Sequence, residues 1–353
     1  MLKTEHRTFK PVTSTEGSPR IAIIGCGAIT ESYYLPALTR YPSVLKNLIL
    51  VDRNEVRAQE LATKFNVKRY LVDYRDVLSE GVDGVIIATP SHLHYPMSMD
   101  FLANGVHVLC EKPLAVTADD ARKMVEQAQK TGATLSVNHM RRLYASNSKV
   151  KELLTKGVLG EPLSIQYFEG EKFRWPTVSG FYFNTKISSR GVLLDRGVHV
   201  LDLICWWLGE KPKLILSQND SFGGLEAVAY VKFEHKKCVG EVKLSLLGKF
   251  PCVFIVKCEA GTIEGDVFDF KSIVLTTKSG RKKRLKLKPN EKYHEDFGYT
   301  MVTNFLDVVS KGEKPLVSGK DVLDSVELID ECYEAASRFN MPWYEIPEIR
   351  NGR

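Results

Sequence analysis

Short apolar runs alternate with helical segments through residues 20–139 of this 353-residue chain. Strands separated by helices of this length form parallel pairs with right-handed crossovers, and several such units build a doubly wound sheet. The sequence therefore predicts an α/β fold with an N-terminal Rossmann domain over residues 20–139. The predicted strands cover residues 20–24, 48–51, 67–71, 82–89, 106–110 and 134–137.

A Gly-x-Gly turn follows the first predicted strand directly. Gly25 and Gly27 would let the backbone approach a pyrophosphate, and Ala28 and Ile29 begin the helix whose N-terminus would hold it. Thr30 stands where this fingerprint usually has a third glycine. The pattern predicts that a dinucleotide cofactor contacts Gly25, Gly27, Ala28 and Ile29.

An acidic residue after the second strand bears on which dinucleotide binds. Asp52 lies where a carboxylate can hold the adenosine ribose through its hydroxyls. Such a carboxylate repels the extra phosphate of NADP, whereas the neighbouring Arg53 could accept that phosphate. We therefore expect both residues at the cofactor, and NAD is favoured over NADP.

Polar side chains follow three of the predicted strands. Glu111 and Lys112 end one strand in the sequence Glu-Lys-Pro, and a solvated turn would also explain this pair. Thr89 and His94 follow a second strand, and Asn138 follows a third. Because the carboxyl ends of parallel strands meet at one edge of a sheet, where ligands bind, their convergence favours a functional site.

A second informative stretch is the apolar segment at residues 191–208, which is predicted to be a mostly buried helix. Asp195, His199 and Asp202 are spaced four and then three residues apart, so they share one helical face. A carboxylate one turn from an imidazole can fix its tautomer and raise its basicity, as a general base requires. A core histidine satisfied by its neighbour is the alternative, and the predicted dinucleotide domain favours the base.

The second part of the chain has a different pattern. Residues 214–288 contain successive strands without helices, and helices are predicted at residues 296–309 and 321–338. Such a succession predicts a largely antiparallel open sheet. Residues 140–353 are therefore predicted to form an α+β domain for substrate binding and oligomerisation, and residues 1–19 to form a polar arm.

Composition argues against several classes of protein. No apolar run is long enough to cross a bilayer and the N-terminus is polar, so a cytoplasmic protein without membrane contact is predicted. Seven cysteines without CxxC pairs predict reduced thiols, and no metal site is predicted. The basic run at residues 281–288 alternates leucine with lysine, which favours an exposed edge strand over a nucleic-acid site.

The candidate residues together suit hydride transfer. A nicotinamide takes a hydride from a carbon that bears a hydroxyl as the hydroxyl proton leaves, so a base must lie within hydrogen-bond reach. His199 is the predicted base. Lys112 would donate to the same oxygen and stabilise the developing alkoxide, and Asp195 would orient the imidazole or share in proton transfer.

Four features of the sequence occur together in one family: the Gly-x-Gly turn, Ala-Thr-Pro at residues 88–90 followed by His94, Glu-Lys-Pro at residues 111–113, and the Asp-x-x-x-His spacing before Trp-Trp-Leu-Gly. On these features the chain resembles the glucose-fructose oxidoreductase, inositol dehydrogenase and rhizopine-catabolism (Gfo/Idh/MocA) family. The resemblance covers residues 20–339.

The resemblance implies that NAD(P) binds between a Rossmann domain and a C-terminal domain with an antiparallel sheet. It implies that Lys112 is catalytic with Asp195 and His199 as its partners, that Glu111 lies near the nicotinamide ribose, and that Pro113 follows a cis peptide. Most members act on sugars, cyclitols or their derivatives, and many are dimers or tetramers that associate through the open sheet. The implied cofactor contacts are Thr89, Pro90, His94, Glu111, Lys112 and Asn138.

Aromatic and basic side chains are predicted to line the substrate site. Trp175 and Tyr182 could stack on a sugar ring, although packing against another subunit would also explain them. Arg196 could bind a carboxylate or phosphate, but helical geometry turns it about 100° from Asp195, so a salt bridge elsewhere is equally consistent. The predicted substrate contacts are Lys112, Arg141, Arg142, Trp175, Asp195, Arg196 and His199, with Arg190 as a further candidate.

Three functions fit these patterns. The first is an NAD(P)-dependent dehydrogenase, a homo-oligomer acting on a small carbohydrate or cyclitol. The second is an enzyme of the same fold that uses NAD transiently, in epimerisation or redox-assisted glycoside cleavage. The third is a non-catalytic NAD-binding regulator. Intact Lys112, Asp195 and His199 favour an enzyme over the regulator.

Overall fold

The computed structural model describes residues 18–176, 180, 184, 190–221 and 224–340. Within these ranges the chain forms two β-sheets with helices packed against both. Residues 1–17 of the predicted arm and Tyr182 lie outside the described residues. No helix in the described ranges is long and apolar enough to cross a membrane.

Parallel strands form the first sheet. They are β1 (Ile21–Ile24), β2 (Ile49–Val51), β3 (Arg69–Leu71), β4 (Gly84–Ile87), β5 (His107–Cys110) and β6 (Leu135–Val137). Their order in space is β3-β2-β1-β4-β5-β6, so the strand order reverses between β1 and β4. Every residue of β1 and β4 is buried, because helices cover both faces. The predicted doubly wound parallel sheet is confirmed, and the reversal marks where a ligand is expected.

Helices from both parts of the chain cover the first sheet. Phe101 and Met124 pack on one face, whereas Leu61 and Phe305 pack on the other. Phe305 comes from the C-terminal region, so late helices complete the core of the first sheet, and the boundary at residue 139 stays a prediction. The helices are α1 (Leu35–Leu38), α2 (Pro42–Lys46), α3 (Glu55–Phe65), α4 (His94–Ala103), α5 (Ala118–Thr131), α6 (Ala145–Thr155), α7 (Val198–Leu208), α8 (Asp296–Lys311) and α9 (Leu323–Glu334).

The helix after the glycine turn contains Pro36, and the turn just before it is π-helical. A π-helical turn at Thr30–Tyr34 leads into α1, and the amide of Leu35 donates to the carbonyl oxygen of Thr30, five residues back. Proline has no amide proton, so a regular ladder of hydrogen bonds cannot continue through it. The interruption that Pro36 predicts therefore takes the form of a wider turn in a continuous helix.

The second sheet is open and mostly antiparallel. Its strands are β7 (Pro162–Gly170), β8 (Lys213–Asn219), β9 (Val228–His235), β10 (Cys238–Ser245), β11 (Phe250–Cys258), β12 (Gly261–Asp266), β13 (Ser272–Thr277), β14 (Lys282–Lys286) and β15 (Ala336–Arg338). Their order is β14-β13-β12-β11-β7-β10-β9-β8-β15, and only the β7–β10 and β8–β15 pairs are parallel among these described strands. The predicted sheet class is confirmed.

The two edges of this sheet test two predictions. The basic run forms β14 at one edge, and four of its five residues are exposed, as the lysine pattern predicts. The helix predicted for residues 321–338 is wrong at its end, since α9 stops at Glu334 and residues 336–338 form β15. Hydrogen bonding to the open edge of β8 replaces the last helical turn.

The faces of the second sheet differ in burial. Side chains such as Ile165 and Val242 pack against α6, α7 and α9 in a large apolar core. Val239, on the face of β10 opposite Val242, is instead 54% exposed. Association of subunits through the open sheet stays a prediction.

A buried ion cluster joins the segment after β6 to α7. Arg142 donates from Nε and Nη2 to the two carboxylate oxygens of Asp202, at 2.8 and 2.7 Å. His139 Nδ1 lies 3.2 Å from the same carboxylate. Burial opposes ionisation of Asp202, but His139 and Arg142 together hold its pKa below the ordinary range. Arg142 is therefore committed to this cluster, and its prediction as a substrate contact is wrong.

Replacing Arg142 should destabilise the protein, because Asp202 would stay buried without its main counter-ion. Arg142→Met would leave the Asp202 carboxylate, 1% exposed, with His139 and the hydroxyl of Ser325 as side-chain neighbours. We expect the free energy of unfolding to fall by about 3 to 5 kcal/mol, because a buried charge loses its main counter-ion. Urea denaturation followed by tryptophan fluorescence measures the loss.

The matched control is Arg122→Met on α5. Arg122 pairs with Glu327 at 3.2 Å, but its side chain is 46% exposed, so water screens the pair. We expect a loss below about 1 kcal/mol for this variant. Equal losses in the two variants would contradict the assignment of Arg142 to a buried ion pair.

Candidate active site

A cleft of about 2330 Å³ opens at the carboxyl ends of the first sheet and continues to the second sheet. Typical small-molecule pockets measure about 300 to 1,000 Å³, so there is room for a dinucleotide and a second ligand. The predicted site residues that line it are Gly25, Gly27, Ala28, Ile29, Asp52, Arg53, Thr89, Pro90, Glu111, Lys112, Asn138, Arg141, Trp175, Asp195, Arg196 and His199.

The glycine turn is built for close approach. Gly25 has a φ of +103°, and a Cβ there would lie 2.5 Å from the carbonyl oxygen of Ala88. A Cβ on Gly27 would meet no protein atom within 4 Å and would enter open space in the cleft. Gly25 is therefore required by the fold, whereas Gly27 leaves room for a ligand that touches the backbone.

Thr30 occupies the position of the missing third glycine. Its side chain is fully buried, and Oγ1 donates to the carbonyl oxygen of Gly25 at 2.6 Å. This bond holds the start of the helix against the glycine turn.

Asp52 lies at the end of the cleft expected to hold the adenosine ribose. Its Oδ2 accepts a hydrogen bond from the amide of Cys26, and its Oδ1 accepts one from the amide of Asn54, both at 2.8 Å. The two amides fix the carboxylate against the glycine turn, and each oxygen keeps a further lone pair for a ligand. Arg53 beside it is exposed and also faces the cleft.

His94 does not line the cleft, although it was predicted to contact the cofactor. The side chain is 1% exposed, and its ring nitrogens lie 2.7 and 2.9 Å from the carbonyl oxygens of Pro113 and Thr89. Its ring thus joins the ends of β4 and β5 from behind. The peptide bond before Pro113 is cis, as the resemblance implied.

Glu111 belongs to a buried polar group with Tyr34 and Asn138. Tyr34 donates to Glu111 Oε1 at 2.6 Å, and Asn138 Nδ2 donates to the same oxygen at 2.7 Å. Asn138 Oδ1 is buried without a hydrogen-bond partner, and Asn138 lines the cleft. Such an atom is expected to have an acceptor role toward a bound group. Burial and the adjacent Glu111 raise the pKa of Tyr34, so its hydroxyl stays a donor.

Lys112 reaches from β5 to the helix of the second part. Its Nζ donates to the Asp195 main-chain oxygen at 2.8 Å and to Asp195 Oδ1 at 3.0 Å. The side chains are only 18% and 20% exposed. The structure thus brings together two predicted catalytic residues that lie 83 positions apart.

Asp195 does not orient His199 in this structure. A π-helical turn at Leu193–Gly197 precedes α7, and its wider pitch changes the angular relation that regular α-helical spacing predicts. The Asp195 carboxylate bonds to Lys112, and no hydrogen bond joins it to His199 in the described part of the chain. The expectation that Asp195 fixes the imidazole tautomer is wrong for this arrangement.

His199 lines the cleft as a neutral imidazole. Its Nδ1 is buried without a hydrogen-bond partner, so Nε2 is the ring nitrogen open to a ligand. Burial lowers the pKa of His199 well below its ordinary value, and the charges of Lys112 and Arg141 lower it further. The ring is therefore free to accept a proton at neutral pH.

A buried glutamate that the sequence reasoning missed holds two predicted arginines. Glu169, at the end of β7, is 1% exposed and accepts two bonds from Arg141, at 2.6 and 2.9 Å. Arg196 Nη1 lies 3.5 Å from Glu169 Oε1. Arg190 instead pairs with Asp330 at 2.6 Å. No pattern in the sequence identified Glu169.

Tyr33 and His294 also line the cleft without having been predicted. Tyr33 Oη lies 2.8 Å from His294 Nδ1, and the Tyr33 ring lies 6.4 Å from the ring of Trp175. Burial lowers the pKa of His294, which keeps this ring neutral as well. The three side chains form an aromatic wall on the substrate side, and no sequence pattern connects them.

The described ranges contain no group of three or more histidine, cysteine, aspartate or glutamate side chains arranged to hold a metal ion. The fit to a dinucleotide rests instead on the open space at Gly27, the fixed carboxylate of Asp52 and the unpartnered oxygen of Asn138.

Comparison with protein families agrees with this geometry. Residues 19–139 match the model of the oxidoreductase family with an NAD-binding Rossmann fold. Residues 147–264 match the GFO/IDH/MocA C-terminal domain.

Curated relatives match over different lengths. The chain is 27% identical to 1,5-anhydro-D-fructose reductase of Ensifer adhaerens over 211 residues, covering 59% of this chain and 62% of that protein. It is 23% identical to scyllo-inositol 2-dehydrogenase (NAD(+)) of Bacillus subtilis over 327 residues, covering 89% of this chain and 92% of that protein.

A solved structure supports the fold. KijD10, a 3-ketoreductase from Actinomadura kijaniata solved with NADP and TDP-benzene, aligns with a TM-score of 0.79 at 21% identity. The alignment covers 91% of this chain and 99% of that one. With both family models matched along most of its length, the chain belongs to the Gfo/Idh/MocA family of oxidoreductases.

Proposed function

We propose that this protein is an NAD(P)-dependent oxidoreductase that oxidises a secondary hydroxyl of a sugar, cyclitol or sugar derivative, or reduces the corresponding ketone. The observation that carries the proposal is the meeting of Lys112, Asp195 and His199 at the substrate side of a dinucleotide cleft. The names of the full-length relative, an inositol dehydrogenase, and of the anhydrofructose reductase support the substrate class.

The cofactor would lie along the carboxyl ends of β1, β2 and β4. Gly25 and Gly27 would admit its pyrophosphate, and Asp52 would hold the adenosine ribose. A dinucleotide held there would supply the acceptor for a hydride from the substrate carbon. We favour NAD over NADP, because the fixed Asp52 carboxylate would repel a 2′-phosphate, although Arg53 beside it and the NADP in KijD10 leave NADP as the other candidate.

His199 and Lys112 would divide the proton chemistry. As the C–H bond breaks, the O–H proton passes to Nε2 of neutral His199. The Lys112 ammonium, held by Asp195, donates a hydrogen bond to the same oxygen and stabilises its developing negative charge. General-base assistance of this kind is worth about a hundredfold to ten-thousandfold in rate.

The first test combines substrate screening with two variants. A panel of pyranoses and inositols is incubated with NAD, and NADH formation is followed by absorbance. Lys112→Met and His199→Asn should lower turnover of any active substrate by about a hundredfold or more, because each removes one proton-handling group. NADH affinity should stay close to that of the wild type.

Lys123→Met is the matched control, since Lys123 is 49% exposed and pairs with Asp119 on a helix surface. Its turnover should match the wild type. Product formed without any change in NADH absorbance would contradict net dehydrogenation and favour the transient use of NAD. Full activity in either site variant would contradict the assigned roles.

The second test is the pH dependence of kcat/KM. His199 acts as a base only when neutral, and its pKa is lowered well below 6.5 by burial and by Lys112. Activity should therefore be maintained from neutral pH down past 6.5 and should fall only when the imidazole becomes protonated. An acid limb at or above pH 6.5, with NADH binding unchanged over the same range, would contradict this assignment.

The third test concerns the cofactor. Gly27→Ala places a methyl group in the space reserved for the pyrophosphate, so NADH affinity should fall about tenfold or more while the melting temperature is retained. Gly248→Ala is the control, since its Cβ also meets no protein atom within 4 Å and Gly248 does not line the cleft. Titrating the wild type with NADH and NADPH in parallel measures the preference. Tighter binding of NADPH would contradict the choice of NAD.

A further inference from the structure

The Arg141, Glu169 and Arg196 side chains form a charged cluster in the substrate half of the cleft. Both carboxylate oxygens of Glu169 accept hydrogen bonds from Arg141, which makes a bidentate pair. Arg196 approaches the same carboxylate at 3.5 Å. Two guanidinium groups therefore share one negative charge, and the cluster carries a surplus positive charge.

Arg196 is mostly buried but has few hydrogen bonds to offset its loss of water. Its side chain is only 15% exposed, and its Nη1 is buried without a hydrogen-bond partner. In the described part of the chain, Nη1 of Arg196 donates no hydrogen bond, and its contact with Glu169 at 3.5 Å is an ion pair only. A buried charge left in this state is costly, so a purely structural role does not account for it.

The other buried cations that line the cleft already have carboxylate partners, whereas the buried carboxylates of Glu111 and Glu226 accept from uncharged donors. Lys112 is paired with Asp195, and Arg190 is paired with Asp330. The pKa of His199 is lowered, so this ring adds no charge at neutral pH. Among the buried cations on the substrate side of the described cleft, Arg196 is the one whose carboxylate partner is already bound by another arginine.

We propose that the substrate carries a carboxylate that Arg196 binds, so that it is a sugar acid or another polyhydroxy acid. A single negative charge balances the surplus of the cluster, whereas a phosphate dianion would exceed it. This inference rests on the proposed function and specifies its substrate class.

The position of Arg196 relates this carboxylate to the reacting hydroxyl. Arg196 directly follows Asp195, whose main-chain and side-chain oxygens hold Lys112. Arg141, which shares Glu169 with Arg196, is close enough to affect the pKa of His199. Arg196, Lys112 and His199 line the same cleft, so the proposed carboxylate and the oxidised hydroxyl belong to one small molecule that reaches all three.

The experiment measures binding and turnover separately. D-Glucuronate, D-gluconate, D-glucose and D-glucose 6-phosphate are titrated into the NADH-bound wild type by calorimetry and are then tested as substrates with NAD. The two carboxylates should bind about tenfold or more tightly than glucose. Arg196→Gln should remove this difference while it retains NADH affinity, and Arg196→Lys should restore part of it.

Arg122→Gln is the control, since Arg122 lies on the surface and should leave the preference unchanged. Equal binding of glucose and the carboxylates by the wild type would overturn the inference, as would an unchanged preference in Arg196→Gln. Tighter binding of glucose 6-phosphate would overturn the carboxylate assignment. Oxidation of neutral sugars without any preference would leave the proposed function standing, whereas carboxylate binding without turnover of the whole panel would count against the function alone.

Discussion

The hydrogen bonds between Lys112 and Asp195 link the two halves of the site. Lys112 ends a strand of the first sheet, and Asp195 lies in the turn that leads into the central helix of the second core. Because the lysine contacts both the carboxylate and the main-chain oxygen, it fixes the backbone of that turn as well as its side chain. The pair therefore helps to set the position of the turn before His199 relative to the cofactor region.

The adjacent residues Arg141 and Arg142 bind carboxylates in different surroundings, one in the cleft and one in the interior. Arg142 and Arg141 are neighbours in sequence, and each makes a bidentate pair with a nearly inaccessible carboxylate. Asp202, the partner of Arg142, faces the interior, and no second arginine contacts it among the described residues. Glu169, the partner of Arg141, lines the cleft and also contacts Arg196. Similar local chemistry thus stabilises the fold in one case and leaves charge for a ligand in the other.

Local patterns in the sequence predicted the parts of the site that depend on backbone geometry. The glycine turn, the strand ends and the edge strand follow from steric and hydrophobic rules that act over a few residues. The partners of the side chains did not follow. A π-helical turn, which no residue spacing reveals, changed the relation of Asp195 to His199. Glu169 and His294 reach the cleft through the register of the second sheet and the return of the chain to the first core, so only the tertiary structure brings them there.

Charge in the cleft connects binding of a substrate acid to the strength of the base. In the free protein, burial and the positive charges of Lys112 and Arg141 keep His199 neutral but weakly basic. A carboxylate at Arg196 would offset the positive field of the cluster, and a negative charge nearby raises the pKa of an imidazole. Under the proposed function, His199 would therefore become a stronger base as the substrate binds, at the moment when proton transfer is required. The same surplus charge that selects an acidic substrate would thus keep the base deprotonated until that substrate arrives.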